Sequence, residues 1–224
     1  AVLRARHMFP AFAFAVMKVF NMFCRVFMRL EVQGKENLRN ENGKAFLICP
    51  NHQSFLDPFV LCSTYRFSLF RNFFHVGASE FFEGRTMRWV ATMLNVVPVN
   101  PDTELMRAMK AGAIGLKHGR VLNIYPEGER AFDGDLHMFK KGAAILATEL
   151  DLPIVPVALD GLQNVWARAS WRIRPAKVKI RIGEPFYAKD VLNGTGLTGD
   201  EAYATVTEHL KQTIAGMIAG LRDE

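Results

Sequence analysis

The sequence lacks a long uncharged apolar run, a set of pairable cysteines and any acid in its first thirty residues. The apolar stretch over residues 8–30 is uncharged for only ten residues, from Met8 to Met17, whereas crossing the hydrocarbon of a bilayer takes about 20. A spanning helix is therefore not expected there. Cations interrupt the stretch and no small-residue cleavage site follows, which argues against a secretory signal peptide. Cys24, Cys49 and Cys62 are odd in number, sit among apolar residues and lack the close spacing of a metal site. They are read as buried thiols in a reducing compartment, which favours the cytoplasm. No internal repeat or low-complexity stretch is present, so no repeat architecture is expected. The first residue is Ala1, as in a processed chain, a trimmed one or a piece of something longer.

What is present is apolar mass and clustered positive charge. Half of the 224 residues are hydrophobic, enough for one substantial core with no demand for a second. The net charge is +6, but two segments carry it. Residues 1–30 hold Arg4, Arg6, Lys18, Arg25 and Arg29 without an acid, and residues 161–183 hold Arg168, Arg172, Arg174, Lys177, Lys179 and Arg181 without an acid. Basic segments on a mildly acidic body suggest an anionic partner, either a phospholipid surface or a nucleic acid. In the first segment Lys18, Asn21, Arg25 and Arg29 recur at intervals of three and four. That spacing puts them in one stripe of a helix whose other faces are apolar and rich in phenylalanine. Such a helix lies in the headgroup plane, with Phe9, Phe12, Phe14, Phe20, Phe23 and Phe27 down and the cations level with lipid phosphates. The competing reading is a helix packed on the protein's own core. Residues 1–30 are accordingly expected to be an amphipathic membrane-associated helix and residues 31–224 one folded domain.

Beyond residue 30, short β-rich runs alternate with helical ones. Strands are expected at 30–33, 45–49, 73–77, 96–99, 121–125, 154–159 and 178–182. Helices are expected at 58–64, 85–94, 142–150 and 200–221, with another running from a cap at Asp102 or Thr103 to about His118, where Gly119 supplies the stop. The glycines within 193–199 mark a loop. This alternation implies an α/β layered domain.

Two turns carry chemistry. The strand at 45–49 meets Pro50, and Asn51-His52-Gln53-Ser54-Phe55-Leu56-Asp57-Pro58 follow. A strand that delivers polar side chains before a helix is where α/β sheets usually build sites. The five-residue spacing lets Asp57 take the proton of one imidazole nitrogen of His52 and leaves the other free to accept a proton from a hydroxyl. Asp57 ahead of Pro58 is equally a helix N-cap, with His52 a loop histidine. The strand at 121–125 runs into Tyr125-Pro126-Glu127-Gly128-Glu129-Arg130, and Phe139-Lys140-Lys141-Gly142 precedes a helix. A stiffened turn, a glycine allowing close backbone approach, an arginine fork and a basic helix entry suit a phosphate. An ordinary turn with a Glu–Arg pair is the plain alternative. His7, His75, His118, His137 and His209 show no partner at a telling spacing and read as surface or core.

Asn51-His52-Gln53-Ser54-Phe55-Leu56-Asp57 resembles the N-H-x-S-x-x-D form of the H-x-x-x-x-D motif of glycerolipid acyltransferases, the lysophospholipid and 1-acylglycerol-3-phosphate acyltransferase family. Tyr125-Pro126-Glu127-Gly128-Glu129-Arg130 resembles that family's F-P-E-G-T-R motif, and Leu152-Pro153-Ile154-Val155-Pro156-Val157 its fourth block. The blocks stand in the family's order over roughly residues 30–190. The resemblance implies a mixed sheet flanked by helices, with an N-terminal helix in the membrane surface. It implies transfer of a fatty acyl group from a coenzyme A or acyl-carrier-protein thioester to a glycerol or lysophospholipid hydroxyl. His52 would be the base and Asp57 its orienter. Asn51, Ser54, Glu127, Gly128, Arg130, Lys140 and Lys141 would line the substrate, with backbone N–H groups near Gly128 as oxyanion donors. A thioester is already activated, so no metal or cofactor is required. The expected partners are a phospholipid surface, the two substrates and an acyl carrier protein, with no nucleic acid. The expected location is the cytoplasmic face of a membrane, peripherally bound.

The chain departs from the pattern at three places. Val96-Val97-Pro98-Val99-Asn100-Pro101 lacks an arginine often found there, Gly77-Ala78-Ser79-Glu80-Phe81 lacks a lysine, and Glu129 replaces threonine. Fewer cations favour a zwitterionic lysolipid over lysophosphatidic acid, although Arg130, Lys140 and Lys141 still suit a phosphate. The run from Tyr125, with Phe139-Lys140-Lys141-Gly142-Ala143, also resembles acyltransferase modules attached to acyl-activating synthetases. Two rival functions stay open. A lipid esterase or thioesterase would use Ser54 as nucleophile, against which stand its missing G-x-S-x-G elbow and its position two residues from His52. A non-catalytic basic module would use Trp166, Trp171 and the neighbouring arginines at a bilayer interface or on stacked bases.

Overall fold

The computed structural model describes residues 10–38, 44–78, 84–99, 105–131, 133–166 and 172–224. The expectations for Phe9, Glu80, Pro101, the Asp102 or Thr103 cap, Arg168 and Trp171 fall outside these residues. Strands β1 (Glu31–Gln33), β2 (Leu47–Pro50), β3 (Phe73–Ala78), β4 (Val96–Val99), β5 (Val121–Asn123), β6 (Ile154–Asp160) and β7 (Lys179–Ile182) form one sheet in the order β1-β7-β6-β2-β5-β3-β4. From β6 to β4 the neighbours run parallel, whereas β7 opposes β6 and pairs in parallel with β1. The sheet is therefore mixed, as expected. Its helices are α1 (Pro10–Phe27), α2 (Asp57–Thr64), α3 (Phe67–Phe70), α4 (Arg85–Met93), α5 (Leu105–Lys117), α6 (Gly142–Leu150), α7 (Leu162–Val165), α8 (Ala188–Leu192) and α9 (Gly199–Asp223).

The central strands are buried on both faces, which is why they read as apolar runs rather than alternations. Ile48, Phe73, Val121, Val155 and Val157 face a core shared with α1, α2 and α3, and Val90 and Met93 of α4 pack against it. Leu47, Cys49, Phe74, Leu122, Ile154 and Ala158 face the opposite core, under α5, α6, α8 and α9. Helix α9 buries Ala202, Val206, Leu210, Ile214, Ile218 and Leu221, a spacing of four and three that makes one apolar stripe. Burying each larger side chain contributes about 2 kcal/mol. Gly119, at φ 74°, ends α5 where the stop was expected. Helices α3, α7 and α8 and a short 3-10 turn at Lys35–Leu38 were not anticipated. Each is too short to show a helical period.

The connections place the site. From β2 the chain crosses by α2 and α3 to β3, beyond β5 on one side. From β5 it crosses by α6, on the opposite face, to β6, beyond β2 on the other side. Adjacent parallel strands whose connections leave in opposite directions open a crevice at their carboxyl ends.

Helix α1 packs one face on the domain. Ala13, Met17 and Cys24 are buried in the core that also holds α2. The cationic stripe only partly matches expectation, because the Lys18 ammonium donates to Ser63 O and Tyr65 O at 2.9 and 2.7 Å, and Asn21 Nδ2 to Ser63 Oγ. Both turn inward, Lys18 capping the end of α2, where exposed carbonyls attract a cation, and Asn21 holding the Ser63 hydroxyl beside it. The outward face is apolar instead, with Phe12, Val19, Met22, Phe23 and Val26 all more than half exposed. No helix among the described residues is long and apolar enough to cross a membrane. All three cysteines are buried and free, and burial pushes the Cys24 thiol up to about 11.

Candidate active site

The turn after β2 is organised around one carboxylate oxygen. Asp57 is fully buried, and its Oδ2 meets His52 Nδ1 at 2.7 Å, Gln53 N at 2.6 Å and Ser54 N at 2.9 Å. The backbone of residues 53 and 54 thus wraps the carboxylate and brings His52 back over it. The helix N-cap is Leu56, without a side-chain bond, so Asp57 is not the N-cap that its place before Pro58 also allowed. In a neutral imidazole, carboxylate acceptance at Nδ1 places the proton on that nitrogen and leaves Nε2 with a lone pair. The His52 side chain remains 18% exposed.

The turn after β5 is locked to the first by Glu127. Its carboxylate, buried to 4% exposure, accepts His52 N at Oε1 (2.7 Å) and His137 N at Oε2 (3.1 Å). His52 O in turn accepts Ala131 N at 2.9 Å, so both backbone groups of His52 belong to the second turn. Burial raises the Glu127 pKa against the lowering effect of its two amide donors. Tyr125 stacks on His52, with ring centroids 4.2 Å apart at 28°. Gly128 has φ 77°, a left-handed conformation that favours glycine, and the Lys140 side chain passes 2.8 Å from where a Cβ would stand.

Of the expected substrate-lining residues, Glu127, Gly128, Arg130 and Lys140 gather here, with the Arg130 guanidinium 5.9 Å from the Phe55 ring centroid. Asn51, Ser54 and Lys141 are placed differently. Asn51 is buried and exchanges two hydrogen bonds with the backbone of Leu159, at 2.9 and 2.7 Å, which ties the end of β2 to β6. Ser54 is fully buried, donates to Trp166 O at 2.8 Å and accepts Leu56 N. A hydroxyl so enclosed is no nucleophile for an external ester. Lys141 Nζ pairs with Asp200 at 2.7 Å, drawn off to the start of α9. The Gly128 amide donates to Tyr125 O and is not a free oxyanion donor.

Two participants were missed. Gln53, buried, donates to Gly134 O and accepts Leu162 N, both at 3.3 Å; nothing local to its sequence marks that reach. His137 Nε2 pairs with Asp133 Oδ1 at 2.9 Å, contrary to the reading that it had no partner, and the four-residue separation was the signal available. Among the described residues no group of histidine, cysteine and acidic side chains could hold a metal ion.

A buried carboxylate and an oriented imidazole at the switch point of an α/β sheet, with no accessible protein nucleophile beside them among the described residues, have the parts of a base-catalysed group transferase. Comparison with known proteins identifies the family. The family model "Acyltransferase" matches residues 29–160, and the chain belongs to that family. It is 30% identical over 191 residues to the chloroplastic 1-acyl-sn-glycerol-3-phosphate acyltransferase BAT2 of Brassica napus, covering 82% of this chain and 52% of that one. It is 28% identical over 165 residues to a 1-acyl-sn-glycerol-3-phosphate acyltransferase of Pseudomonas aeruginosa, covering 72% and 61%. The chain thus spans about half to three fifths of the length of these relatives. The fold matches the crystal structure of the 1-acyl-sn-glycerophosphate (LPA) acyltransferase PlsC from Thermotoga maritima, with TM-score 0.72 and 21% identity over 94% of this chain and 81% of that one.

Proposed function

We propose that this chain transfers a fatty acyl group from a coenzyme A or acyl-carrier-protein thioester to the free hydroxyl of a lysophospholipid; the names of its relatives support the transfer and the class of acceptor. The observation that carries the reading is the 2.7 Å bond from His52 Nδ1 to the fully buried Asp57 carboxylate. His52 Nε2 takes the hydroxyl proton as the lipid oxygen attacks the thioester carbonyl. The new C–O bond forms, the tetrahedral oxyanion collapses, the C–S bond breaks, and the imidazolium returns its proton to the leaving thiolate. Asp57 stabilises that imidazolium and fixes its tautomer. Glu127 holds the second turn against His52, and Arg130 and Lys140 supply positive charge for the acceptor's phosphate.

The relatives' names favour 1-acylglycerol-3-phosphate as acceptor, and the sequence departures favour a zwitterionic lysolipid. Lys141, tied to Asp200, removes one more cation from the turn. Peripheral membrane binding is supported by the apolar outer face of α1 and, on the same side of the sheet, by exposed Trp89, Arg85 and Arg88 of α4.

The decisive experiment incubates the protein with radiolabelled acyl-coenzyme A or acyl carrier protein and a panel of lysophospholipids, beside His52→Ala. Labelled diacyl lipid that disappears with His52→Ala is expected. Thioester hydrolysis without lipid product, or activity surviving the substitution, refutes the reading. Co-sedimentation with anionic liposomes, lost in Phe12→Ser/Phe23→Ser, tests the membrane face.

A further inference from the structure

The Nδ1 bond to Asp57 fixes one point of the His52 imidazole but not the tilt of its plane, since a histidine χ2 torsion has broad wells. The only aromatic ring stacked on that imidazole among the described residues is Tyr125, 4.2 Å away at 28°. The residue is held rigidly: Ile124 N donates to Ile48 O, Tyr125 O accepts Gly128 N, and Pro126 follows. Its ring also lies near-parallel to that of buried His75, at 6.5 Å and 8°. Its hydroxyl is buried without a hydrogen-bond partner among the described residues, which leaves the ring face as the feature directed at His52.

We propose that Tyr125 is a positioning residue for acyl transfer, its ring acting as the platform that sets the plane of the His52 imidazole and accepts the charge of the imidazolium. The inference rests on the acyltransferase reading above. A π face attracts a cation by its quadrupole, so the platform strengthens when His52 takes the hydroxyl proton and weakens when the proton leaves. Stabilisation gained only in the charged state lowers the barrier without tightening substrate binding.

The test compares Tyr125→Phe, Tyr125→Leu and Tyr125→Met in steady-state acyl transfer, with histidine-labelled 15N NMR of the same proteins and His52→Ala for assignment. Tyr125→Phe is expected to keep kcat within about 3-fold, whereas Leu and Met lower kcat about 10-fold or more with KM for both substrates nearly unchanged. The His52 ring signals should be sharp in wild type and Tyr125→Phe and broadened by exchange between ring orientations in the other two, with the tautomer held by Asp57 in all four. Met keeps bulk without a ring and stands in if Leu fails to fold. Phe losing as much as Leu, or Leu and Met matching wild type in kcat and spectrum, overturns the proposal. If wild type transfers no acyl group, the proposed activity falls, and the NMR comparison still decides the platform.

Discussion

His52 and His137 both donate their backbone N–H to Glu127, on opposite oxygens, and both pair with an aspartate, at 2.7 and 2.9 Å. Contact alone does not distinguish them. Asp57 is fully buried and wrapped by two backbone amides, whereas the Asp133 side chain is 52% exposed. Solvent screens the exposed pair and leaves both side chains free to separate. Asp133 raises the His137 pKa, and His137 lowers that of Asp133. The exposed pair thus stabilises the charged form of the outer imidazole. On the acyl-transfer proposal, what would fit His52 for proton transfer is a partner that cannot move or hydrate, not the partner as such.

That contrast can be broken from the inner pair outward. Asp57→Asn keeps the shape and removes the charge, and kcat should fall about 1000-fold in the acyl-transfer assay, in line with loss of an orienting carboxylate elsewhere. Glu127→Gln sets an NH2 against one of two N–H donors, so kcat should fall about 30-fold and Tm should drop with it. Removing both bonds to Leu159 with Asn51→Ala should cost about 2–3 kcal/mol in denaturant unfolding while leaving the acceptor KM unchanged. Asp133→Asn should change kcat less than about 2-fold if the outer pair takes no part in proton transfer. Its stability effect has a definite sign with pH. A histidine pKa raised on folding contributes stability that is present below about 6.5 and lost as pH rises through the folded value. Differential scanning calorimetry should therefore show a small Tm deficit for Asp133→Asn near pH 6 that closes near pH 9.

The two amphipathic helices on opposite faces of the sheet show how far pattern reaches. For α9 the apolar stripe and the buried stripe coincide. For α1 the polar residues Lys18 and Asn21 face the protein, where they meet the end of α2, and large apolar residues face out. Periodicity locates a stripe on a helix, but which side turns inward depends on what the neighbouring element offers.

The seven strands, the longer helices and the α/β class were legible in local sequence, and the spacing of His52 and Asp57 allowed their pairing beside an N-cap reading, because each depends on residues at most a helix apart. The short helices α3, α7 and α8 left no such period. The joining of Glu127 to His52, the withdrawal of Lys141 to Asp200 and the use of Asn51 as a clamp on β6 were not legible there. Those depend on which strands become neighbours, and the sheet order that sets β2 between β5 and β6 is a property of the packed chain. A hydrogen bond between residues 75 or 108 positions apart leaves no periodic trace in the sequence; it exists only once the core has brought the two ends together.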